Sequence, residues 1–324
     1  MAVRTGERGA GPKITGWLLG LWVVVLVVTG CAAPAARRDS PRLTEARRLA
    51  VQGSTWYRQG CVQRAEQYFY QALEASRLVD DVEGMVRAHN NLAVVAIAQG
   101  YYDEASGHLS RALELNKPAR SAGEGPLIVS NLGTLAYKLG RLEEAERFWR
   151  EALAASEEDA RHPGLVVNLN NLGMLLRQQV RMEEAEVMLR RALSAGSDNG
   201  QVSAANTHFQ LALLAQTRSD LVAAERHLSV ALALDKETEH AQGIAQDLEH
   251  LGTLHQRQQA WDRAATELDR AIRLYAALGN SKKVEEVSRL LEANREASGI
   301  PESLEVYRRL LLPPGEEWES PLCQ

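Results

Sequence analysis

Aromatic side chains are scarce in this chain and make up only 5% of its 324 residues. Runs of β-branched residues, which favour strands, are nearly absent after residue 30. Hydrophobic residues nevertheless account for 45% of the chain, so it can bury a core. Because Ala, Leu, Glu and Arg, all strong helix formers, are abundant, we predict an all-α protein of stacked helices.

The chain also lacks a basic excess and a recognisable site for chemistry. Residues 31–324 carry 34 Lys and Arg against 41 Asp and Glu, a net charge of −7, which argues against nucleic acid as a partner. No nucleophile motif, phosphate-binding loop or metal-spaced cluster occurs, and His250 and His255 do not have the spacing of two ligands on one helix face. We interpret these histidines, with His89 and His208, as packing residues. We therefore expect no metal, no cofactor and no catalysis. An enzyme is the less favoured alternative.

One long hydrophobic run is present, at the N terminus. Arg4, Arg8 and Lys13 precede the apolar stretch 17–28, and this order is typical of a signal peptide. The stretch is shorter than the ~20 residues that cross a bilayer. We predict that residues 1–30 are a signal peptide, with an uncleaved N-terminal anchor as the alternative.

The residues "VTGC", from Val28 to Cys31, resemble a bacterial lipobox. The resemblance implies cleavage before Cys31 and lipid chains such as palmitate on this residue, which would anchor the protein to a membrane. Ala32 stands where an aspartate would resemble an inner-membrane retention signal. We therefore expect a lipoprotein of the bacterial cell envelope, at the outer membrane and facing the periplasm.

Two further cysteines, Cys61 and Cys323, remain after Cys31. They could pair in an oxidising periplasm. Because one lies early in the chain and the other near its last residue, we expect a buried or idle thiol at each position instead.

An internal repeat of about 40 residues fills most of the remaining chain. Alanines recur at steps of 40, 40, 40, 39 and 40 residues, at Ala65, Ala105, Ala145, Ala185, Ala224 and Ala264. A large apolar residue follows each alanine after four positions and another alanine after seven, and these spacings share one helix face. The helix before it carries a leucine followed by a small residue, as in Leu132-Gly133 and Leu172-Gly173, where a neighbouring helix packs closely. Each repeat is therefore predicted to be two antiparallel helices.

This two-helix frame resembles the tetratricopeptide repeat, which implies a right-handed superhelical solenoid of helical hairpins. The step near 40 and the "NNL" signature are more similar to the repeats of the kinesin light chain subgroup. The predicted organisation is a signal peptide (1–30), a tether (31–45), six repeats (46–280), a degenerate capping hairpin (281–312) and a flexible tail (313–324).

Asparagines recur in the first helix of successive repeats at Asn91, Asn131 and Asn171, forty residues apart. At 100° per residue they lie ~160° from the small packed residue of their helix and flank one surface stripe. In the family that the repeats resemble, this stripe lines a concave groove, where asparagines bind the backbone of an extended peptide. We predict a peptide-binding groove formed by Arg87, Asn90, Asn91, Asn131, Tyr137, Lys138, Asn170, Asn171, Arg177, Phe209 and Arg257.

A second interpretation of the asparagines stays open beside the first. Their side chains could bond to the adjacent repeat and fix the superhelix, and one array could use both arrangements. The stripe carries four basic residues and one acidic residue, Glu249. The predicted groove is therefore mildly basic.

These features together predict a non-catalytic scaffold that binds a protein or an extended peptide segment and contacts the membrane through its lipid anchor. The architecture resembles pilotin-type lipoproteins, which assist the assembly of envelope complexes. The alternative is a structural envelope protein that uses the same surface for self-association.

The tail contains the acidic segment "EEWE", from Glu316 to Glu319. We interpret the tail as an unstructured terminus. The segment also resembles the acidic tryptophan peptides that kinesin light chain repeats bind. Because the chain after Leu312 is short, docking between two molecules is then favoured over docking within one.

Overall fold

The computed structural model describes residues 40–119, 124–157, 162, 164–195 and 201–299. These ranges contain thirteen α-helices and no strand, which confirms the all-α prediction. The helices are α1 (Pro41–Arg58), α2 (Val62–Arg77), α3 (Val82–Gln99), α4 (Tyr102–Ala119), α5 (Glu124–Lys138), α6 (Leu142–Ser156), α7 (Gly164–Gln178), α8 (Met182–Ala195), α9 (Gln201–Thr217), α10 (Leu221–Glu237), α11 (Ala241–Arg257), α12 (Trp261–Ala277) and α13 (Ser281–Ser298). The predicted signal peptide, Cys31 and the tail lie outside the described residues.

Consecutive helices pair into six hairpins, α1 with α2 through α11 with α12, which we number 1 to 6, and α13 packs on α12. The first helix begins at Pro41, before the boundary at residue 46 that the repeat pattern predicts. The Ser40 side chain accepts a hydrogen bond from the Leu43 N–H, and proline suits the first helical turn, so this helix starts within the predicted tether. Of the predicted capping hairpin, α13 is the part that the structure describes.

Glycines stand where the two helices of a hairpin approach most closely. A Cβ atom on Gly133 would lie 2.6 Å from Cδ1 of Trp149, and a Cβ atom on Gly173 would lie 2.6 Å from Cδ2 of Leu189. Carbon atoms do not pack at such a distance, so a larger residue would push the helices apart. The predicted packed face is confirmed at both positions.

The repeated alanines of the second helices form the centre of the core. Each of them is 0% exposed: Ala65, Ala105, Ala145, Ala185, Ala224 and Ala264. The core continues from one hairpin to the next, since Trp149, Leu189 and Leu214 of hairpins 3, 4 and 5 belong to one buried cluster. No helix of the described ranges combines the length and the apolar character needed to cross a membrane.

Every first helix of hairpins 1 to 6 ends in the same turn. After α3, the N–H of Tyr101 donates to the carbonyl of Ala96 and that of Gly100 to the carbonyl of Ile97, which is a Schellman motif. The central residue of this turn has a positive φ in all six hairpins: Gly60, Gly100, Gly140, Val180, Ser219 and Gln259. The regular turn holds the two helices of each hairpin antiparallel.

Candidate functional site

All the predicted groove residues lie on the first helices of hairpins 2 to 6. We call this surface the groove stripe. Its N-terminal part faces a cavity of about 430 Å³. The cavity is lined by Val94, Asn131, Thr134 and Lys138 from hairpins 2 and 3, and by Gln242 and Leu278 from hairpin 6 and the turn that follows it. This part of the groove stripe therefore lies on the inside of the curved array.

Hairpin 1 reaches the far end of the array across this cavity. A Cβ atom on Gly60 would lie 2.5 Å from Cδ2 of Leu278, and both residues line the cavity together with Tyr57 and Tyr275. The repeat pattern of the sequence does not predict this contact between the two ends of the array. It depends on the small rotation between successive hairpins, which accumulates along the array and which no single repeat encodes.

Asn90 and Asn170 are buried, with 6% and 4% of their surfaces exposed. The Oδ1 atom of Asn90 accepts a 2.8 Å hydrogen bond from Nδ2 of Asn131 in the next hairpin. The Nδ2 atom of Asn170 donates to the backbone carbonyl of Ser203, also in the next hairpin, at 3.2 Å. These asparagines join neighbouring hairpins, as the second interpretation expects, and they do not line an open groove.

Asn91 and Asn171 differ from their buried neighbours. Both are half-buried, and neither has a hydrogen-bond partner among the residues that the structure describes. Asn131, at the equivalent position of hairpin 3, uses its amide nitrogen to bond Asn90 and also lines the cavity. Two free amides therefore remain on the groove stripe.

Two of the charges on the groove stripe are neutralised by neighbours. Arg87 Nη1 lies 3.0 Å from Glu83 Oε1. Glu249 accepts hydrogen bonds from the hydroxyl of Tyr275 at 2.7 Å and from Nζ of Lys283 at 3.0 Å. Glu249, the acidic residue of the stripe, is thus compensated within the protein.

The other three cations, Lys138, Arg177 and Arg257, have no ion pair or hydrogen bond within the described part of the chain. Lys138 and Arg257 are exposed. The Nε atom of Arg177 is buried without a partner, and desolvation lowers the pKa of this guanidinium. The groove stripe therefore carries uncompensated positive charge, which favours an anionic occupant.

The aromatic residues of the groove stripe are held in fixed positions. The hydroxyl of Tyr137 is hydrogen-bonded to Gln178 of the next hairpin, and its ring lies 5.8 Å from the ring of Trp149. The ring of Phe209 packs edge-on against His250, with centroids 5.0 Å apart. Side chains fixed in this way lose little conformational entropy when a ligand packs on them.

The histidines form contacts between helices. Nδ1 of His89 lies 3.0 Å from Nδ1 of His108, and His208 makes the same contact with His227. Nδ1 of His255 lies 2.6 Å from Glu267. Within the described ranges, no group of three or more His, Cys, Asp or Glu residues could hold a metal ion.

Cys61 is disulfide-bonded and 1% exposed, so the expectation of an unpaired thiol at this position is wrong. It is the N-cap residue of α2 and stands between Gly60 and Val62, both of which line the cavity. The spacing of three cysteines gives no signal for a particular pair. Pairing depends on which Cβ atoms the tertiary structure brings within about 4 Å of each other.

Comparisons with known proteins bear on the fold. A family model described as tetratricopeptide repeat matches residues 52–117 and 127–196. The chain is similar to the crystal structure of BtubC (BKLC) from P. vanneervenii, with a TM-score of 0.53 and 23% identity over 67% of this chain and 92% of that chain. None of the curated proteins matches the sequence.

Two other solved structures share the architecture. The Cut9–Hcn1 hetero-tetramer of the APC/C matches with a TM-score of 0.57 and 18% identity, over 79% of this chain and 44% of that chain. A Rap protein complexed with competence and sporulation factor matches with a TM-score of 0.53 and 16% identity, over 80% of this chain and 66% of that chain. Identities this low show the fold alone. The six hairpins therefore have the fold of a tetratricopeptide-repeat solenoid, and residues 52–117 and 127–196 also match the repeat family in sequence.

Proposed function

We propose that the protein is a non-catalytic scaffold whose groove stripe binds an extended segment of a partner protein. The observation that carries this proposal is the set of polar groups on the groove stripe that have no partner within the described residues: the amides of Asn91 and Asn171 and the cations Lys138, Arg177 and Arg257. A carboxamide can donate to a peptide carbonyl and accept from a peptide N–H at the same time. An extended backbone, which has both groups unpaired, suits such amides.

The cations favour a partner segment that carries negative charge. The groove stripe holds three uncompensated cations, whereas Glu249 is bonded to Tyr275 and Lys283. Complementary charge raises the association rate and excludes basic segments more than it raises affinity. Binding is therefore expected to weaken as the salt concentration rises.

Adjacent asparagines allow a matched test of this proposal. Asn91→Ala combined with Asn171→Ala removes the free amides, whereas Asn90→Ala combined with Asn170→Ala removes the buried ones. Proteins captured from membranes by mild crosslinking would be quantified for the wild type and for both double variants. We expect the first variant to lose its captured partner with an unchanged melting temperature. The second should lower the melting temperature, because each lost buried bond costs ~1–3 kcal/mol.

Equal capture by the wild type and the Asn91/Asn171 variant would contradict the proposal. If that variant lost both its fold and its captured partner, the two amides would stabilise the repeat array and would not bind a partner. Circular dichroism at 222 nm separates these results, since a folded solenoid keeps its helical signal.

We further propose that the protein is a lipoprotein of the bacterial cell envelope, attached to the outer membrane and facing the periplasm. The basic residues, the short apolar run and "VTGC" before residue 32 support this location. Cys31→Ala should leave an uncleaved precursor that incorporates no labelled palmitate. Equal palmitate labelling of the variant and the wild type would contradict the proposed lipid anchor at Cys31.

Within this proposal, the scaffold assists the assembly of an envelope complex, as do the pilotin-type lipoproteins whose architecture it resembles. A lipid anchor together with a binding groove would hold a client subunit at the membrane. The period near 40 residues also supports the proposed relation to kinesin light chain repeats. Identification of captured partners as subunits of one envelope assembly would support the role, and capture of unrelated proteins would contradict it.

Self-association is the second candidate function, and the edge formed by the turns after the first helices favours it. Tyr101, Leu139 and Val180 are 58%, 41% and 75% exposed in successive hairpins. Apolar side chains aligned along one edge are suited to contact a second copy. Analytical ultracentrifugation of the chain would show concentration-dependent dimers, and a monomer at all concentrations would exclude this function.

A further inference from the structure

We infer that hairpins 2 and 5 are acid-sensitive joints of the array, each held closed by a pair of histidines that separates when both rings are protonated. In hairpin 2, Nδ1 of His89 on α3 lies 3.0 Å from Nδ1 of His108 on α4. In hairpin 5, Nδ1 of His208 on α9 lies 3.0 Å from Nδ1 of His227 on α10. We call these the histidine pairs. None of the four residues belongs to the groove stripe, so the inference does not rest on the proposed function.

Packing alone does not require histidine at these two positions of a hairpin. The equivalent positions hold Val129 and Phe148 in hairpin 3, and Leu169 and Met188 in hairpin 4. Phe148, Leu169 and Met188 belong to one apolar cluster or pack against it. Because apolar residues join the two helices there, the histidine pairs add a property that packing does not need, which is the ability to titrate.

The contact within a histidine pair tolerates one imidazolium but not two. An N–H···N bond needs one nitrogen that donates and one that accepts, so only one of the two Nδ1 atoms can carry a hydrogen. Protonation of both rings would place two N–H groups and two positive charges face to face at 3.0 Å. All four rings are buried or half-buried, so salt and water screen this repulsion only weakly. Double protonation therefore pushes the two helices apart.

The charges around the first pair keep His89 neutral until the solution is acidic. Burial and the charge of His108 lower the pKa of His89 from its usual 6.5 to about 4. The cations Arg77 and Arg111 act in the same direction. Burial also lowers the pKa of His108, but Glu104 opposes this effect, since its Oε1 atom lies 3.6 Å from Nε2 of the ring.

Helix α2 also faces the first pair. The ring of Tyr70 lies edge-on to the ring of His108, with centroids 6.1 Å apart, and its hydroxyl donates to Glu104. The charge of Glu66, on the same helix, favours the protonated form of His108. These groups favour an imidazolium at His108, so the second proton of the pair falls on His89.

The second pair is also surrounded by groups that oppose its protonation. Burial and the charge of His227 lower the pKa of His208. Burial and the charge of Arg226 lower the pKa of His227, and Asp220 acts in the opposite direction. Both rings are therefore neutral in neutral solution.

Three further charged residues line the outer groove beside His227: Glu186, Arg190 and Arg218. Glu186 on α8 forms ion pairs with both arginines, each at 2.5 Å. Because its carboxylate is already engaged by two cations, it does not neutralise an imidazolium at His227. The second pair thus has little compensation for a second proton.

Acid therefore lowers the stability of hairpins 2 and 5. A histidine of the unfolded chain has a pKa near 6.5, and all four pKa values are lower in the folded pairs, so the unfolded state binds more protons below pH ~6.5. The stability that the pairs contribute is fully present above pH ~6.5 and is lost as the pH falls towards 4. Since each hairpin contacts mainly its neighbours, acid loosens the array at two defined points.

Thermal unfolding tests the joints without any partner. A fourfold variant would give hairpins 2 and 5 the residues of hairpins 3 and 4: His89→Val, His108→Phe, His208→Leu and His227→Met. On acidification from pH 7.5 to 5, we expect the melting temperature of the wild type to fall roughly 5–10 °C further than that of this variant. Carboxylates that titrate over this range are common to both chains, so the comparison cancels them. Equal falls would overturn the inference.

A second variant keeps the test decisive if the apolar residues disturb the fold. His89→Gln with His208→Gln leaves a hydrogen-bonding side chain on the first helix of each pair, and the pair can then carry only one charge. Circular dichroism at pH 7.5 confirms that each variant is folded. The glutamine variant should also lose less stability on acidification than the wild type, and a loss equal to that of the wild type would contradict the joints.

Hydrogen exchange, read out by peptide mass spectrometry, locates the joints. Exchange of the wild type would be measured at pH 7.5 and 5 and corrected for the intrinsic rate at each pH. We expect the protection of α3, α4, α9 and α10 to fall about tenfold at pH 5, and that of α5 to α8 to change less. An equal fall in all these helices would overturn the inference, because acid would then loosen the whole array and not hairpins 2 and 5.

Discussion

Hairpins 1 to 3 and hairpins 4 to 6 make the same turn with different residues. The first three use glycine, with φ between 76° and 84°, and the last three use Val180, Ser219 and Gln259, with φ between 62° and 64°. Glycine adopts a positive φ without steric cost, whereas other residues pay ~1–2 kcal/mol. Since the hydrogen bonds of the turn are the same in both halves, the packing of the repeat imposes the turn and the local residue only sets its cost.

The two halves also differ at a buried position five residues before the small residue of the first helix. Hairpins 2 and 3 have Ala88 and Ile128 there, and hairpins 4 to 6 have Asn168, Thr207 and Asp247, all of them buried. Both polar atoms of the Asn168 amide lack a hydrogen-bond partner, and so does the Oδ2 atom of Asp247. The C-terminal half therefore carries local penalties that the stacking of neighbouring hairpins offsets.

The largest expected effect comes from the packing that both halves share. Gly173→Leu in hairpin 4 and Gly133→Leu in hairpin 3 would each drive a side chain into the second helix, at a cost of ~3 kcal/mol. We expect thermal unfolding, followed by circular dichroism, to shift to lower temperature by similar amounts in the two variants. An unchanged melting temperature for either variant would mean that the two halves do not pack alike.

The next effect is specific to the C-terminal half and depends on pH. Burial and the nearby charge of Asp235 raise the pKa of the Asp247 carboxyl to about 8, whereas in the unfolded chain this carboxyl has its ordinary pKa of 3.8. The contribution of this carboxyl to the stability is therefore fully present below pH ~4 and is lost as the pH rises towards 8. We expect Asp247→Asn to stabilise the protein by ~2 kcal/mol at pH 8.5, where a buried unpaired group costs ~1–3 kcal/mol, and to change little at pH 4.

The control for this prediction is Asn168→Ile, which restores the residue type of hairpin 3 at the equivalent position. Its effect on denaturant unfolding should not vary between pH 4 and 8.5, because asparagine does not titrate. A pH-independent effect of Asp247→Asn would contradict the pKa assignment.

A smaller effect is expected at the turns. Val180→Gly would relieve the cost of a β-branched residue at positive φ and should stabilise the protein by roughly 0.5–1 kcal/mol, after the entropy cost of glycine. Gly140→Val, the reverse change in hairpin 3, should destabilise it. If both variants had the same melting temperature as the wild type, the turns of the two halves would not differ in strain.

The smallest effect concerns the bonds between neighbouring hairpins at the start of the second helices. Arg218 Nη1 lies 2.5 Å from Glu186 of hairpin 4, whereas in the N-terminal half the neutral Gln99 bonds Glu66 at 3.2 Å. Arg218→Gln should cost ~0.2–1 kcal/mol at low salt and almost nothing at 1 M salt. The cost of Gln99→Ala should be the same at both salt concentrations, and a salt-dependent cost would contradict this distinction.

The site was only partly predictable from the sequence. The stripe of the first helices follows from helical geometry, but the adjacent Asn170 and Asn171 look alike in sequence. One is buried and bonds the next hairpin, and the other has no partner within the described residues. The rotation between neighbouring hairpins decides which of two adjacent amides meets a backbone carbonyl, and a sequence pattern does not report that rotation.

The helices, their pairing into hairpins and the close approach at Gly133 and Gly173 follow from the repeat pattern in the sequence. These features depend on contacts within one repeat, and the same contacts recur about every 40 residues. The contact of Gly60 with Leu278, the cavity beside them and the disulfide of Cys61 arise instead from the folded array. Those features join residues far apart in the chain, and they depend on a curvature that all six hairpins accumulate together.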